Sequence, residues 1–202
     1  MIIIKDPSIK LTDSDLLEKL GIVNFSFSGD TTLEECMYPT DKSFNIGEFN
    51  NCKIICDDYQ LTTLLEVSPK PENLSDYEKS LSDIFSNSEI LTVACHSAVN
   101  YHLYSLVKNG QKIRYKKVVH GETLVEFGGR IEQEEKIYAS SKIIDGQRMF
   151  KSSFNDEDIY DNTEDQMMED FTFGVAARHL GVTISTSDDE ELMFETQFRK
   201  YL

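Results

Sequence analysis

Residues 90–119 read ILTVACHSAVNYHLYSLVKNGQKIRYKKVV, and the reading of this stretch decides the fold. Ile90 to Cys95 is an apolar run with little polar alternation, which predicts a strand buried on both faces. Val99 to Val107 alternates, with Val99, Tyr101, Leu103 and Val107 on one side. Asn109-Gly110 supplies the two positive-φ positions of a type I′ turn, and Lys112 to Val119 is the return strand. Hairpins dominate, and strands do not alternate regularly with long helices. The expected fold is therefore α+β: one mostly antiparallel sheet with helices packed on one face.

Downstream, Thr123 to Phe127 reads as a strand broken by Gly128-Gly129. Asp145-Gly146 predicts a further hairpin between Ile137–Ile144 and Arg148–Ser152. Thr163-x-x-Gln166 is a capping box that opens a final helix carrying Met167, Phe171 and Val175 inward and stopped by Gly181. Gly174 within it would permit close approach to the sheet, since glycine otherwise costs a helix about 1 kcal/mol.

Upstream, residues 1–5 predict a short strand. The cluster Thr12-Asp13-Ser14-Asp15 caps a short helix carrying Leu16, Leu17 and Leu20, and Gly21 closes it. Ile22 to Phe27 reads as a strand, residues 29–50 as irregular, and Lys53 to Cys56 as a brief strand. Ser75-x-x-Glu78 caps a helix with Tyr77, Leu81, Ile84 and Phe85 on one face, ending near Asn87.

The 202 residues can bury one core without staples, and no linker divides them, so a single globular domain over 1–202 is expected. The start, Met1-Ile2-Ile3-Ile4-Lys5, is too briefly apolar for a signal peptide or a membrane span. The expected location is cytoplasmic. Cys36, Cys52, Cys56 and Cys95 fit it as ordinary buried thiols. The net charge of −16 argues against nucleic-acid backbones and anionic membranes as partners.

Few residues invite chemistry. Cys52 and Cys56 share a strand face with Cα atoms roughly 13 Å apart, too far for one zinc ion or one disulfide. No metal site and no cofactor are expected. Cys95-His96-Ser97 places a nucleophile type beside a base type at a strand end, although neighbours on a strand point to opposite faces. These three are the candidate catalytic residues of a small hydrolase or transferase; core packing is the plainer alternative. His120 could pair with Glu122 or Glu126, or simply sit on a surface turn. There is no phosphate-binding glycine loop, no H-E-x-x-H, no G-x-S-x-G and no paired C-x-x-C.

Charge distribution says more. From Asp156 to Glu195 thirteen acids face a single base, Arg178. Asp156, Asp158, Asp161, Asp188, Asp189, Glu190 and Glu191 are the candidate binding residues of an acidic face for a basic protein partner; a solvated, helix-supporting surface is the alternative. As a calcium loop the segment fails, because Tyr160 and Thr163 occupy ligand and glycine positions. Lys108, Lys112, Arg114, Lys116 and Lys117 form a cationic ribbon. Lys112, Arg114 and Lys116 would share one face of an exposed edge strand. Opposed charges at two ends would also favour head-to-tail self-association.

The block Ala94-Cys95-His96-Ser97-Ala98-Val99-Asn100-Tyr101, the hairpin Lys108-Asn109-Gly110-Gln111-Lys112, the element Glu126-Phe127-Gly128-Gly129 and the helical Phe171-Thr172-Phe173-Gly174 together resemble an uncharacterised bacterial family known only as a domain of unknown function. Ile54-Ile55-Cys56-Asp57 resembles its second strand. The resemblance covers residues 50–181, departs between Tyr138 and Asn162, and lacks expected tryptophans. It implies a bacterial cytoplasmic setting, brings no activity, and points to His96, Ser97, Gly128 and Phe173. The function expected from sequence is a non-enzymatic binding domain that docks a basic protein through acidic C-terminal residues, in an immunity or antagonist role.

Overall fold

The computed structural model describes residues 1–7, 9–38, 41–65, 70–119, 124–151 and 159–202, and of Ser97 only the backbone. In chain order the elements are β1 (Ile2–Lys5), α1 (Asp13–Lys19), β2 (Phe27–Thr31), α2 (Leu33–Met37), β3 (Phe44–Phe49), β4 (Cys52–Cys56), α3 (Asp76–Ile84), β5 (Glu89–His96), β6 (Tyr101–Lys108), β7 (Gln111–Val118), β8 (Val125–Phe127), α4 (Glu132–Ala139), β9 (Lys142–Ile144), β10 (Gln147–Lys151), β11 (Tyr160–Asn162), α5 (Met168–Leu180) and β12 (Phe198–Tyr201). Two 3-10 turns, Thr62–Leu65 and Ser97–Val99, and a π turn, Glu191–Glu195, complete them.

Nine strands form one sheet in the order β2-β12-β3-β4-β1-β5-β6-β7-β8, and β11-β10-β9 form a small second sheet. Every strand pair is antiparallel. The α+β class and the antiparallel sheet agree with expectation. The helices do not lie on one face. Ile2 and Ile4 pack with Leu16, Leu17, Tyr77 and Leu81 of α1 and α3. Ile3, between them, packs with Phe171, Val175 and Leu180 of α5 and Tyr138 of α4. The reason is in the sequence: Ile2-Ile3-Ile4 and Ile54-Ile55 are apolar at consecutive positions, so both faces of the central strands must be covered.

The caps form as predicted at two places. Thr12 accepts from Asp15 N, and Ser75 with Glu78 makes a reciprocal capping box. Both hairpins form. Asn109 and Gly110 have φ of 51° and 68°, and Asp145 and Gly146 have 51° and 82°. Five readings need correction. Residues 29–50 are not irregular: they hold β2, α2 and β3, and Thr32 with Glu35 forms a capping box that the sequence carried. Ile22–Phe27 is not a strand before Phe27. Ile137 to Ala139 closes α4 instead of starting a hairpin strand, because the acid-rich turn from Glu132 supports a helix N-terminus. Thr163 and Gln166 do bond, but on a turn ahead of α5, which begins at Met168. A Cβ on Gly174 would meet Ile137 of α4 first, at 3.9 Å, so that glycine faces a helix and not the sheet.

Candidate functional site

The middle of the cationic ribbon turns out to be interior, whereas Lys108 is exposed at the hairpin and Lys117 is half-buried. Lys112, Arg114 and Lys116 are all buried, and β8 covers β7, so β7 is not an edge. Nor do the three share a face. The β6–β7 register slips between Leu106 and Val107: Val107 pairs with Lys112, Leu106 pairs with Arg114, and Ile113 is the extra residue of a bulge. Lys112 therefore points to the α3 face, where its Nζ lies 3.0 Å from Glu78. Arg114 and Lys116 point to the other face, toward Glu134 at 2.6 Å and Glu164 at 2.8 Å. Lys53 is also buried, 2.9 Å from Glu48. With these cations internalised and neutralised by carboxylates, the negative charge is carried by the outer surface. Of the ribbon, Lys108 and Lys117 alone reach solvent, and Lys108 is paired with Glu89 at 2.8 Å.

The predicted acidic residues separate. Asp156 and Asp158 lie outside the described residues, as do His120 and Glu122. Asp161 is exposed on β11, and Asp188, Glu190 and Glu191 are exposed around the π turn. Asp189 is buried, and its carboxylate accepts from Ser185 N at 2.7 Å. It caps its own loop and is not available to a partner. Glu126 is committed too, at 2.7 Å from Arg114.

At the β2 end of the sheet a second set of acids joins the C-terminal ones. The π turn packs on α2. An open groove of about 490 Å³ beside them is lined by Asp30, Glu34, Glu35, Asp41 and Tyr38, with Lys200 the single cation. Lys200 is already paired with Asp41 at 2.9 Å. Among the described residues β2 has only β12 as neighbour, leaving one row of its backbone groups outside the sheet. Three aromatic side chains are exposed among the described residues: Phe27 at 58 %, Tyr38 at 75 % and Phe194 at 53 %. They belong to β2, the end of α2 and the π turn, all at this edge. Sequence reasoning missed the groove because its acids lie within residues 30–41, a stretch read as irregular, and because only the insertion of β12 between β2 and β3 brings Lys200 to them.

At the centre of the sheet, Cys95 and His96 point to opposite faces of β5. His96 is exposed and pairs with Tyr101 on the α3 face. Cys95 stands opposite His102 on the α5 face, and the first turn of α5 brings Glu169 to them. Ligand atoms of Cys95, His102 and Glu169 all lie within 4.8 Å of one another. Tyr59 fixes the strand end by donating from its hydroxyl to the Cys95 carbonyl at 2.6 Å. His102 is buried, its Nδ1 has no hydrogen-bond partner among the described residues, and burial lowers its pKa. The imidazole is thus neutral near pH 7. Its place could have been read from the hairpin register, had the 97–100 connection been assigned; Glu169 carried no signal. Gly128, with φ of 83°, is a backbone position, and the half-buried Phe173 packs against the core one turn after Glu169 on α5.

Compared with protein families, curated proteins and solved structures, the chain matches none. No described helix is long and apolar enough to cross a membrane.

Proposed function

We propose that this protein is a non-enzymatic binding domain that docks an extended basic segment of a protein partner along β2, between the acids of the groove and those of the π turn. The observation that carries the reading is the coincidence at one sheet edge of Asp30, Glu34, Glu35 and Asp41 with the exposed aromatics Phe27, Tyr38 and Phe194. Each part has a physical role. The edge strand offers main-chain hydrogen bonds to an added strand. Exposed aromatics supply the apolar anchors that interfaces use. The acids steer a cationic partner and select against acidic ones. The internal pairing of Lys53, Lys112, Arg114 and Lys116 keeps those cations from competing at the surface. An immunity or antagonist role and a cytoplasmic setting accord with such a surface.

The test uses fluorescent decapeptides alternating Arg or Lys with aliphatic residues, with acidic counterparts as controls. The basic peptides are expected to bind, and salt to weaken them. Glu34→Lys and Asp30→Lys should each weaken binding by roughly tenfold. Glu132→Lys, an equal charge change on exposed α4, should leave binding within about twofold of wild type. Equal loss in all three variants would mean that bulk charge alone attracts the peptide, and the edge reading would fall. Self-association through β2 would appear instead as a concentration-dependent mass that Asp30→Lys abolishes.

A further inference from the structure

We propose that Cys95, His102 and Glu169 form a binding site for a single divalent transition-metal ion, Zn²⁺ above all, with a fourth coordination position open. The inference is independent of the docking surface, which lies on other elements.

Three different chain segments bring the ligands together. Cys95 and His102 are directly opposed in the β5–β6 ladder, a pairing that holds Cβ atoms about 4.5–5.5 Å apart whatever the side chains do. Glu169 enters from α5, which is pinned to the same face by Phe171 and Val175 in the core. Two ligands are thus fixed by the sheet and the third is an exposed side chain able to adjust. Tetrahedral zinc with bonds of about 2.0–2.3 Å places its ligand atoms roughly 3.6 Å apart. The observed limit of 4.8 Å closes to that with a contraction of about 1 Å, within the reach of a Glu rotamer change.

The donor set chooses the metal. One thiolate, one imidazole and one carboxylate suit a borderline ion, whereas calcium and magnesium demand more oxygen ligands than the cluster holds. His102 is the informative member. A buried imidazole nitrogen without a partner is costly to leave so, and metal coordination through this ring is one way to repay the burial. On binding, the Cys95 S–H bond breaks, its electron pair forms the S–metal bond and the proton leaves to solvent; no electron is transferred. Three protein ligands with a fourth position left to water is the arrangement of zinc centres that activate a bound water. Glu169 is exposed and Cys95 half-buried, so the cluster is open to solvent on the Glu169 side.

The experiment titrates chelator-stripped full-length protein with Co²⁺, in excess Mg²⁺, and follows the thiolate-to-cobalt charge-transfer band. The expected result is saturation at one equivalent, displacement of the band by Zn²⁺, and its loss in Cys95→Ser. Glu169→Gln alters an exposed side chain and folds normally; it should weaken Co²⁺ binding by about 100-fold or more, because even outer-shell changes at metal sites cost 10–100-fold. His102→Ala is read only if its circular dichroism matches wild type, and should then weaken binding as much. A band that survives Cys95→Ser, or binding that Mg²⁺ abolishes, would assign the metal to other cysteines or to surface acids and overturn the proposal. Absence of any band would overturn it as well, and rapid alkylation of Cys95 in the presence of Zn²⁺ would leave the cluster a thiol–imidazole centre without metal.

Discussion

Arg114 and Glu134 meet in the interior, with Nη2 2.6 Å from Oε1 and side chains 1 % and 0 % exposed. The pair is heavily supported. Arg114 also reaches Glu126 and the carbonyls of Phe127 and Gly128. Glu134 accepts from the Tyr104 hydroxyl at 2.7 Å and from Ile131 N at 3.0 Å. Burial works against the charge on Arg114, but Glu134 and Glu126 outweigh it and raise its pKa. The network ties β6, β7, β8 and α4 together without adding apolar area.

Removing one partner should therefore cost far more than removing both. Glu134→Leu leaves a guanidinium buried without its main counter-charge, and a loss of about 3–5 kcal/mol is expected in urea unfolding. The double variant Arg114→Met with Glu134→Leu should recover a large part of that loss. If the single variant loses less than about 1 kcal/mol, water reaches the pair and the buried-charge account is wrong.

Acid should destabilise the fold through a second interior group. His179 is buried on α5, neither ring nitrogen has a hydrogen-bond partner among the described residues, and burial pushes its pKa down to about 4. Glu89, 3.7 Å away, offsets only part of that. Between pH 6.5 and about 4 the unfolded chain holds a proton that the folded chain refuses. Stability present above pH 6.5 is thus lost as pH falls through this window, by about 3 kcal/mol at most. His102, also lowered by burial, adds to the same slope. Asp13 and Glu164, lowered by Arg199 and Lys116 against the cost of burial, give way only at more acid pH. The slope of unfolding free energy between pH 6.5 and 4 should be visibly shallower in His179→Leu, and an unchanged slope would show that His179 is not the titrating group.

Local chemistry was legible in the sequence, and long-range charge pairing was not. Asn109-Gly110, Asp145-Gly146, Thr12 and Ser75 act within a few residues, so each could be read where it stands. Thr32-x-x-Glu35 carried the same capping signal, hidden by a polar surrounding. Lys112, Arg114 and Lys116 misled for a specific reason. Alternation was counted without the bulge at Ile113, and cations were assumed to face water. Their partners Glu78, Glu134 and Glu164 come from distant segments, and only the assembled sheet shows that each lysine or arginine meets one. Helices on both faces were implied by Ile2-Ile3-Ile4, since two consecutive buried positions in a strand need two cores. Of the candidate sites, Cys95 was legible as a strand-end thiol, while His102 depended on the hairpin register and Glu169 on the docking of α5.

The bulge gives a sharp test of backbone packing. Gly128 and Gly146 have nearly the same φ, 83° and 82°, but different surroundings. A Cβ on Gly128 would lie 2.0 Å from the Ile113 carbonyl oxygen, whereas nothing lies within 4 Å of one on Gly146. Gly146→Ala should cost only the left-handed strain, about 1–2 kcal/mol. Gly128→Ala adds a backbone clash that no rotamer relieves, and should cost clearly more, with weakened amide protection along β8. Equal costs for the two would mean that β8 shifts freely away from the bulge.

Thiol reactivity separates the cysteines by their surroundings. Cys52 and Cys56 are buried in β4, and burial pushes the Cys52 thiol up to about 11. The hydrogen bond with Cys56, together with burial, also raises the Cys36 thiol. Cys95 is half-buried at a strand end with the His102 imidazole across the ladder. Because the thiolate is the reacting species, Cys95 in metal-stripped native protein should be alkylated first, and at least about 100-fold faster than Cys52 at pH 7.5. Peptide mapping of iodoacetamide adducts against time gives the order directly. His102→Gln should slow Cys95 labelling without moving the rate at Cys36 if the imidazole favours the thiolate. If Cys52 and Cys95 are instead labelled together, the α5 face opens as a unit on the labelling timescale, and the rigid placement of Cys95, His102 and Glu169 would have to be given up.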